Sequence, residues 1–342
     1  MAIVNGIAQI GESLRAERVP LDKIPVIDFS PFLKGHLARR SEVALQIGHA
    51  CRDIGFFYLV DHGVPHDLVA HAFAEAKRFF DLPMQVKQEI AIERSPYHRG
   101  YFGYGGENLN PAKQPEGDFK EGIKIGRDLP MDHQLVRANT PLHGPNQWPD
   151  NLPGWKETWE EYYEAMCGLG VQIMRAFALA LDLDETFFDN NLTLPMATAG
   201  PLHYPPQTGQ ITEKRLGAGA HTDFGCLTML AQQNVPGLQV RNSAKVWIDA
   251  PCIKDSFVVN IGDMMARWTN DLFASTLHRG INVSGQERYS IPFFFDPDFD
   301  ADVSCLETCQ DADNPPRYPP TTGLQHLLDM INATFDYRQE TV

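Results

Sequence analysis

His221, Asp223 and His278 are side chains that can share one metal ion. They stand as His-x-Asp, then 54 residues (224–277), then His; nine residues (279–287) further on the chain reads Arg288-Tyr289-Ser290. Two imidazoles and one carboxylate, with no fourth protein ligand, suit non-haem Fe(II) with coordination positions left open. Open positions admit O2 and a co-substrate. The planar guanidinium of Arg288 offers a two-pronged grip on a carboxylate nearby.

This chemistry dictates the elements that must carry it. Side chains at i and i+2 of a strand share a face. His221 and Asp223 can therefore reach one ion from one strand, with Thr222 turned away. Arg288 and Ser290 repeat the device, with Tyr289 facing out. His278 has to come from a strand remote in sequence and adjacent in space, which a sheet folded back on itself provides. The pattern predicts strands at 195–204, 216–222, 226–232, 237–241, 245–248, 257–261, 274–279 and 288–295. Eight short strands at this spacing predict a mostly β fold with flanking helices and a double-stranded β-helix (jelly-roll) core. Val235-Pro236-Gly237 and Ile261-Gly262-Asp263 are expected to turn the chain. Helices are predicted over 37–54, 66–80, 154–182 and 321–336 from apolar residues spaced three and four apart; Trp159, Tyr162, Met166, Ile173 and Phe177 form the longest such stripe. The Gly- and Pro-rich stretch 94–118 reads as a long loop. Its aromatics, Tyr97, Tyr101, Phe102 and Tyr104, either line a substrate entrance or pin the loop by packing. Phe293, Phe294 and Phe295 alternate across the last strand, so one or two of them can wall a cavity.

The 342 residues include 43% hydrophobic ones, enough for a full core, and carry a net charge of −15. That balance disfavours nucleic acid and anionic membrane surfaces as partners. The first 20 residues hold Glu12, Arg15, Glu17 and Arg18 and no sustained apolar stretch, so no signal peptide is expected. No segment approaches the ~18 apolar residues of a membrane span. Cys51, Cys167, Cys226, Cys252, Cys305 and Cys309 lack paired zinc spacing and read as reduced thiols of a cytoplasmic protein. The Asp-rich patches 296–302 and 311–313 lack the ligand spacing of a calcium loop and read as solvated loops. His62 and His326 read as surface or satisfied core residues.

The chain also resembles a known family, the 2-oxoglutarate/Fe(II)-dependent dioxygenases of the isopenicillin N synthase-like group. The likeness runs through Ile24-Pro25-Val26-Ile27-Asp28-Phe29, the segment Gly55–Pro65, Arg99-Gly100-Tyr101, Asp118-Phe119-Lys120-Glu121 and Asn146-Gln147-Trp148-Pro149. It continues through Tyr204-Pro205-Pro206, Gly219–Asp223, Asn260-Ile261-Gly262-Asp263 and Ser275–Arg279. The resemblance implies a 1–150 flanking α/β region, 151–192 supporting helices, a 193–300 jelly-roll core and a 301–342 C-terminal loop and helix. It implies Fe(II), 2-oxoglutarate and O2 as cofactors, and oxidative decarboxylation of 2-oxoglutarate coupled to oxidation of a small-molecule substrate. By the same likeness His221, Asp223 and His278 ligate iron, Arg288 and Ser290 hold the distal carboxylate of 2-oxoglutarate, and Tyr204 hydrogen-bonds the same molecule. One departure stands out. Many plant members read Asn-Tyr-Tyr-Pro where this chain reads Leu202-His203-Tyr204-Pro205. His203 should point away from Tyr204, to a structural or substrate-side position. An oxidase of the isopenicillin N synthase type, using no 2-oxoglutarate, remains an alternative, with Gln339 as a weak pointer. A non-catalytic binding protein is another. The primary substrate and the oligomeric state are not legible.

Overall fold

The computed structural model describes residues 9–10, 14–16, 24–207 and 210–334; Gln339 lies outside them. In chain order the elements that build the site are β1 (Val26–Asp28), α1 (Leu37–Asp53), β2 (Phe56–Val60), α2 (His66–Phe80), β3 (Gly100–Phe102) and β4 (Glu121–Gly126). Then follow α3 (Trp155–Ala180), β5 (Thr198–Ala199), β6 (Leu202–Tyr204), β7 (Ala218–His221), β8 (Leu227–Gln232), β9 (Leu238–Arg241) and β10 (Trp247–Ala250). The last are β11 (Ser256–Ile261), α4 (Asp263–Trp268), β12 (His278–Gly280), β13 (Arg288–Phe295) and α5 (Gly323–Thr334). The larger sheet runs β1-β2-β11-β8-β13-β5-β4-β3, with β6 paired to β13 and β4. The smaller runs β10-β9-β12-β7. One cavity is lined from both, by His221 and His278 of the smaller sheet and Thr228 and Arg288 of the larger, as a jelly roll requires.

Each predicted strand of the core is present. The first is split into β5 and β6 at Gly200-Pro201, because proline cannot donate to a ladder. The Ile261-Gly262-Asp263 turn runs straight into α4. The stretch 94–118 is not all loop: β3 interrupts it and pairs with β4. β1 to β4 extend the core sheet, so the N-terminal third is joined to it by backbone hydrogen bonds.

α3 props the larger sheet. Its Trp159, Tyr162, Met166, Ile173 and Phe177 are fully buried. Phe293 of β13 meets Tyr163 edge-on at 5.4 Å. Gly170 lets helix and strand approach, since a Cβ there would lie 2.6 Å from the ring of Phe295. Fully burying each such side chain is worth about 1.5–3 kcal/mol, so this seam is a principal source of stability. Among the described residues no helix is long and apolar enough to cross a membrane. All six cysteines are unpaired.

Candidate active site

β7 and β12 are antiparallel neighbours, and their register sets His221 directly opposite His278. The 54 residues between His-x-Asp and the second His are spent on the strands that bring β12 back to β7. One ligand atom from each of His221, Asp223 and His278 lies within 4.8 Å of the others. Asp223 Oδ1 is 3.5 Å from Nε2 of both histidines. Each ring is fixed by its other nitrogen: Nδ1 of His221 is 2.7 Å from the Gly219 carbonyl and Nδ1 of His278 is 3.1 Å from that of Thr276. A proton on Nδ1 donates to each carbonyl and leaves Nε2 as a lone-pair ligand.

Asp223 lies just past the end of β7, so the expected single-strand geometry holds for His221 alone. A separate clamp fixes the carboxylate. Thr228 of β8 and Asn260 of β11 are cross-strand partners, and both donate to Asp223 Oδ2, at 2.5 and 2.7 Å. Oδ1 is left facing the imidazoles. Burial would raise this carboxyl, but the two histidines hold it well below the usual carboxylate range. Thr222 donates to Asp263, which also accepts from Ser275. The donor set and its fixed tautomers fit a divalent metal of the iron type.

At the β13 end the alternation holds. Arg288 and Ser290 line the cavity, while Tyr289 stacks on His203 at 4.8 Å on the other face. Arg288 is 3% exposed, and its Nε is buried with no hydrogen-bond partner. Its Nη2 donates to Gln232 Oε1 at 3.2 Å. Tyr204 lies across the strand pair from Arg288 and also lines the cavity. A buried cation with a donor to spare fits an anionic ligand. Gln232 went unread in the sequence, because polar residues at strand ends are common.

The remaining sequence expectations sort by strand face. His203 is away from the cavity. Its Nδ1 meets Glu121 Oε1 at 2.7 Å, and Lys87 and Tyr101 bind the other carboxylate oxygen. The position is structural. None of Tyr97, Tyr101, Phe102 and Tyr104 lines the cavity; from their segment His98, Arg99, Glu107 and Leu109 do. Of the three phenylalanines only Phe294 faces it. His326 is satisfied, with Nε2 2.8 Å from the Phe224 carbonyl, and His62 Nδ1 accepts from Val64 N–H at 3.2 Å.

The 296–302 patch is solvated at Asp300 and Asp302 but not at Asp296 and Asp298. Asp298 is buried and accepts from the backbone N–H groups of Thr193 and Leu194. Asp296 is buried against the cavity, and burial pushes its carboxyl up to about 7. A buried charge network also escaped the sequence reading. Lys120 bridges Asp118 and Glu107 at 2.5 and 2.7 Å, and Lys124 adds a second bond to Glu107. Asp118 Oδ1 then accepts the Gly219 N–H, bracing the strand that carries His221. The signal in the chain was the motif Asp118-Phe119-Lys120-Glu121, with no local reason to pair its charges.

Comparison with known proteins agrees with this geometry. The family model described as the 2OG-Fe(II) oxygenase superfamily matches residues 196–297. The one described as the N-terminal part of a non-haem dioxygenase in morphine synthesis matches residues 24–151. A 2-oxoglutarate-Fe(II) type oxidoreductase of Emericella nidulans, hxnY, is 40% identical over 316 residues, covering 91% of this chain and 89% of its own. Among solved structures, a full-length Neurospora crassa protein in complex with alpha-KG and thymine is 30% identical at a TM-score of 0.78, over 91% of this chain and 96% of that one. JOX2 in complex with 2OG, Fe and JA is 30% identical at a TM-score of 0.70, over 90% and 84%. The chain belongs to the 2OG-Fe(II) oxygenase superfamily, and is a 2-oxoglutarate- and Fe(II)-dependent dioxygenase that acts on a small molecule.

Proposed function

We propose that His221, Asp223 and His278 hold the Fe(II), and that Arg288, Ser290 and Tyr204 hold 2-oxoglutarate beside it. When bound, the pair supplies the oxidising power: O2 is consumed, 2-oxoglutarate becomes succinate and CO2, and a substrate is oxidised. The chain's own contribution is binding and exclusion of water. Arg288 takes the distal carboxylate with its guanidinium, which Gln232 holds at Nη2. Ser290, two residues on and on the same face, donates its hydroxyl. Tyr204 supports the guanidinium with its ring and can turn its hydroxyl to the ligand. Gln232 keeps Arg288 from swinging away. Thr228 and Asn260 keep Asp223 from rotating its free oxygen out of the cluster.

The observation that carries this reading is the buried Arg288, with no carboxylate partner among the described residues, lining the same cavity as the His-Asp-His cluster. The primary substrate then occupies the remainder of the cavity, whose apolar wall includes Tyr163, Phe294, Leu327 and Ile331. The unpaired cysteines support a reducing, cytoplasmic setting, which cell fractionation tests. The test of the site is an anaerobic titration of 2-oxoglutarate into the Fe(II) protein. Two-point chelation is expected to give a weak visible charge-transfer band that saturates. No band from fully iron-loaded protein would remove the co-substrate assignment.

A further inference from the structure

One strand builds both ends of the cavity. Arg288, Ser290, Pro292, Phe294 and Asp296 all line it, as the two-residue period of β13 and its extension demands. Along that line the Cα atoms of residues 288 and 296 are roughly 26 Å apart, at ~3.3 Å per residue. Arg288 marks the co-substrate end. Asp296 sits at the other, packed beside Gly225, two residues beyond Asp223.

Asp296 is 4% exposed, and only one of its oxygens is satisfied. Oδ1 accepts the Cys226 N–H at 2.7 Å, and no hydrogen bond within the described residues reaches Oδ2. The carboxylate has a made seat: a Cβ on Gly225 would lie 1.9 Å from Oδ1 and 2.8 Å from Oδ2. Of the cations in the wall, Arg99 donates to the carbonyls of Tyr97, His98 and Leu142, and Arg279 to Gln239 and the Leu14 carbonyl. Lys120 and Lys124 pair with Glu107, and Arg127 pairs with Glu164. Burial pushes the Asp296 carboxyl up to about 7, so above that pH it is ionised, and a carboxylate oxygen in the cavity without a protein donor is then costly. A ligand that brings the donor recovers that cost, and one that brings a second carboxylate increases it.

We propose that Asp296 determines substrate specificity by accepting, at Oδ2, a hydrogen bond from an N–H group of the primary substrate, which is therefore a small N–H-bearing molecule and not a carboxylate. The proposal rests on the iron and 2-oxoglutarate assignments above. The substrate N–H keeps its proton throughout and serves to orient the molecule. With its polar edge on Asp296, the rest of the substrate lies along the apolar wall toward the metal cluster.

The test uses the anaerobic Fe(II)–2-oxoglutarate holoprotein. The charge-transfer band before any probe is added checks the underlying assignments; its absence would overturn those, and this inference with them. With the band present, thymine, uracil and 2-pyridone are each titrated against their fully N-methylated forms, reading the shift of the band. Jasmonate serves as a carboxylate without an N–H. At least one N–H probe is expected to bind about 10-fold more tightly than its methylated form, as one hydrogen bond to a charged acceptor allows. Jasmonate is expected to give no saturable shift. In Asp296→Asn the amide oxygen keeps the Cys226 N–H and the NH2 turns to the cavity, so the N–H preference should vanish while the band itself remains. An intact band with no N–H preference for any probe, a preference that survives Asp296→Asn, or saturable jasmonate binding would each overturn the role of Asp296 alone. The wild-type probe pairs decide the matter even if the variant fails to fold.

Discussion

Arg288 and Tyr204 stand opposite each other in the β6–β13 register, with the guanidinium carbon 4.6 Å from the centre of the phenol ring. The ring covers one face of the cation and leaves its edge to the cavity. Arg288→Ala should therefore abolish tight 2-oxoglutarate binding, since a buried carboxylate left without its partner costs about 3–5 kcal/mol. That is roughly two to four decades in affinity. Arg288→Lys should recover part of the loss, because an ammonium lacks the planar fork. Ser290→Ala should cost on the order of 1–2 kcal/mol. Anaerobic titrations should rank affinity as wild type, Ser290→Ala, Arg288→Lys, Arg288→Ala. Wild-type affinity in Arg288→Ala would place the carboxylate elsewhere.

The metal cluster has no spare ligand. His221→Ala, Asp223→Ala and His278→Ala should each lose tight Fe(II) binding in anaerobic equilibrium dialysis. His203→Ala should retain it, because that side chain is bound to Glu121 on the opposite face. Equal loss in His203→Ala would refute the face assignment.

Thr228 and Asn260 touch no metal, yet they aim Asp223. Thr228→Val keeps the shape and removes the donor to Oδ2. Iron affinity should fall roughly 10- to 100-fold, as for other groups that orient a ligand. Thr228→Ser keeps the hydroxyl and should restore most of it. If Thr228→Val binds iron as the wild type does, Asn260 alone suffices for the clamp.

Lys120 holds two buried carboxylates together. Lys120→Met should destabilise the fold by about 3–5 kcal/mol in urea unfolding at neutral pH. Burial opposes ionisation of Glu107, but Lys120 and Lys124 hold its carboxyl far below the usual range. A depressed carboxylate stabilises the fold above its unfolded pKa and ceases to do so as pH falls through its folded one. The gap between wild type and Lys120→Met should therefore narrow in strong acid. A gap independent of pH would show that the lost contribution is packing, not charge.

The sequence alone determined what depends on spacing along one strand or one helix. His221 and Asp223 declare themselves by residue type and spacing, Arg288 and Ser290 by the two-residue period of their strand, and the stripe of α3 by its three- and four-residue period. These are local consequences of backbone geometry. The tertiary structure decided what depends on which strands become neighbours. The pairing of β7 with β12 set His278 opposite His221, and that of β8 with β11 joined Thr228 and Asn260 into one clamp. The pairing of β6 with β4 and β13 turned His203 toward Glu121 and Tyr204 toward the cavity. Asp296, in a run of aspartates that reads as solvated, became a buried wall residue because Gly225 of another segment left room for it. Contacts between strands far apart in the chain have no period along it, so nothing local announces them.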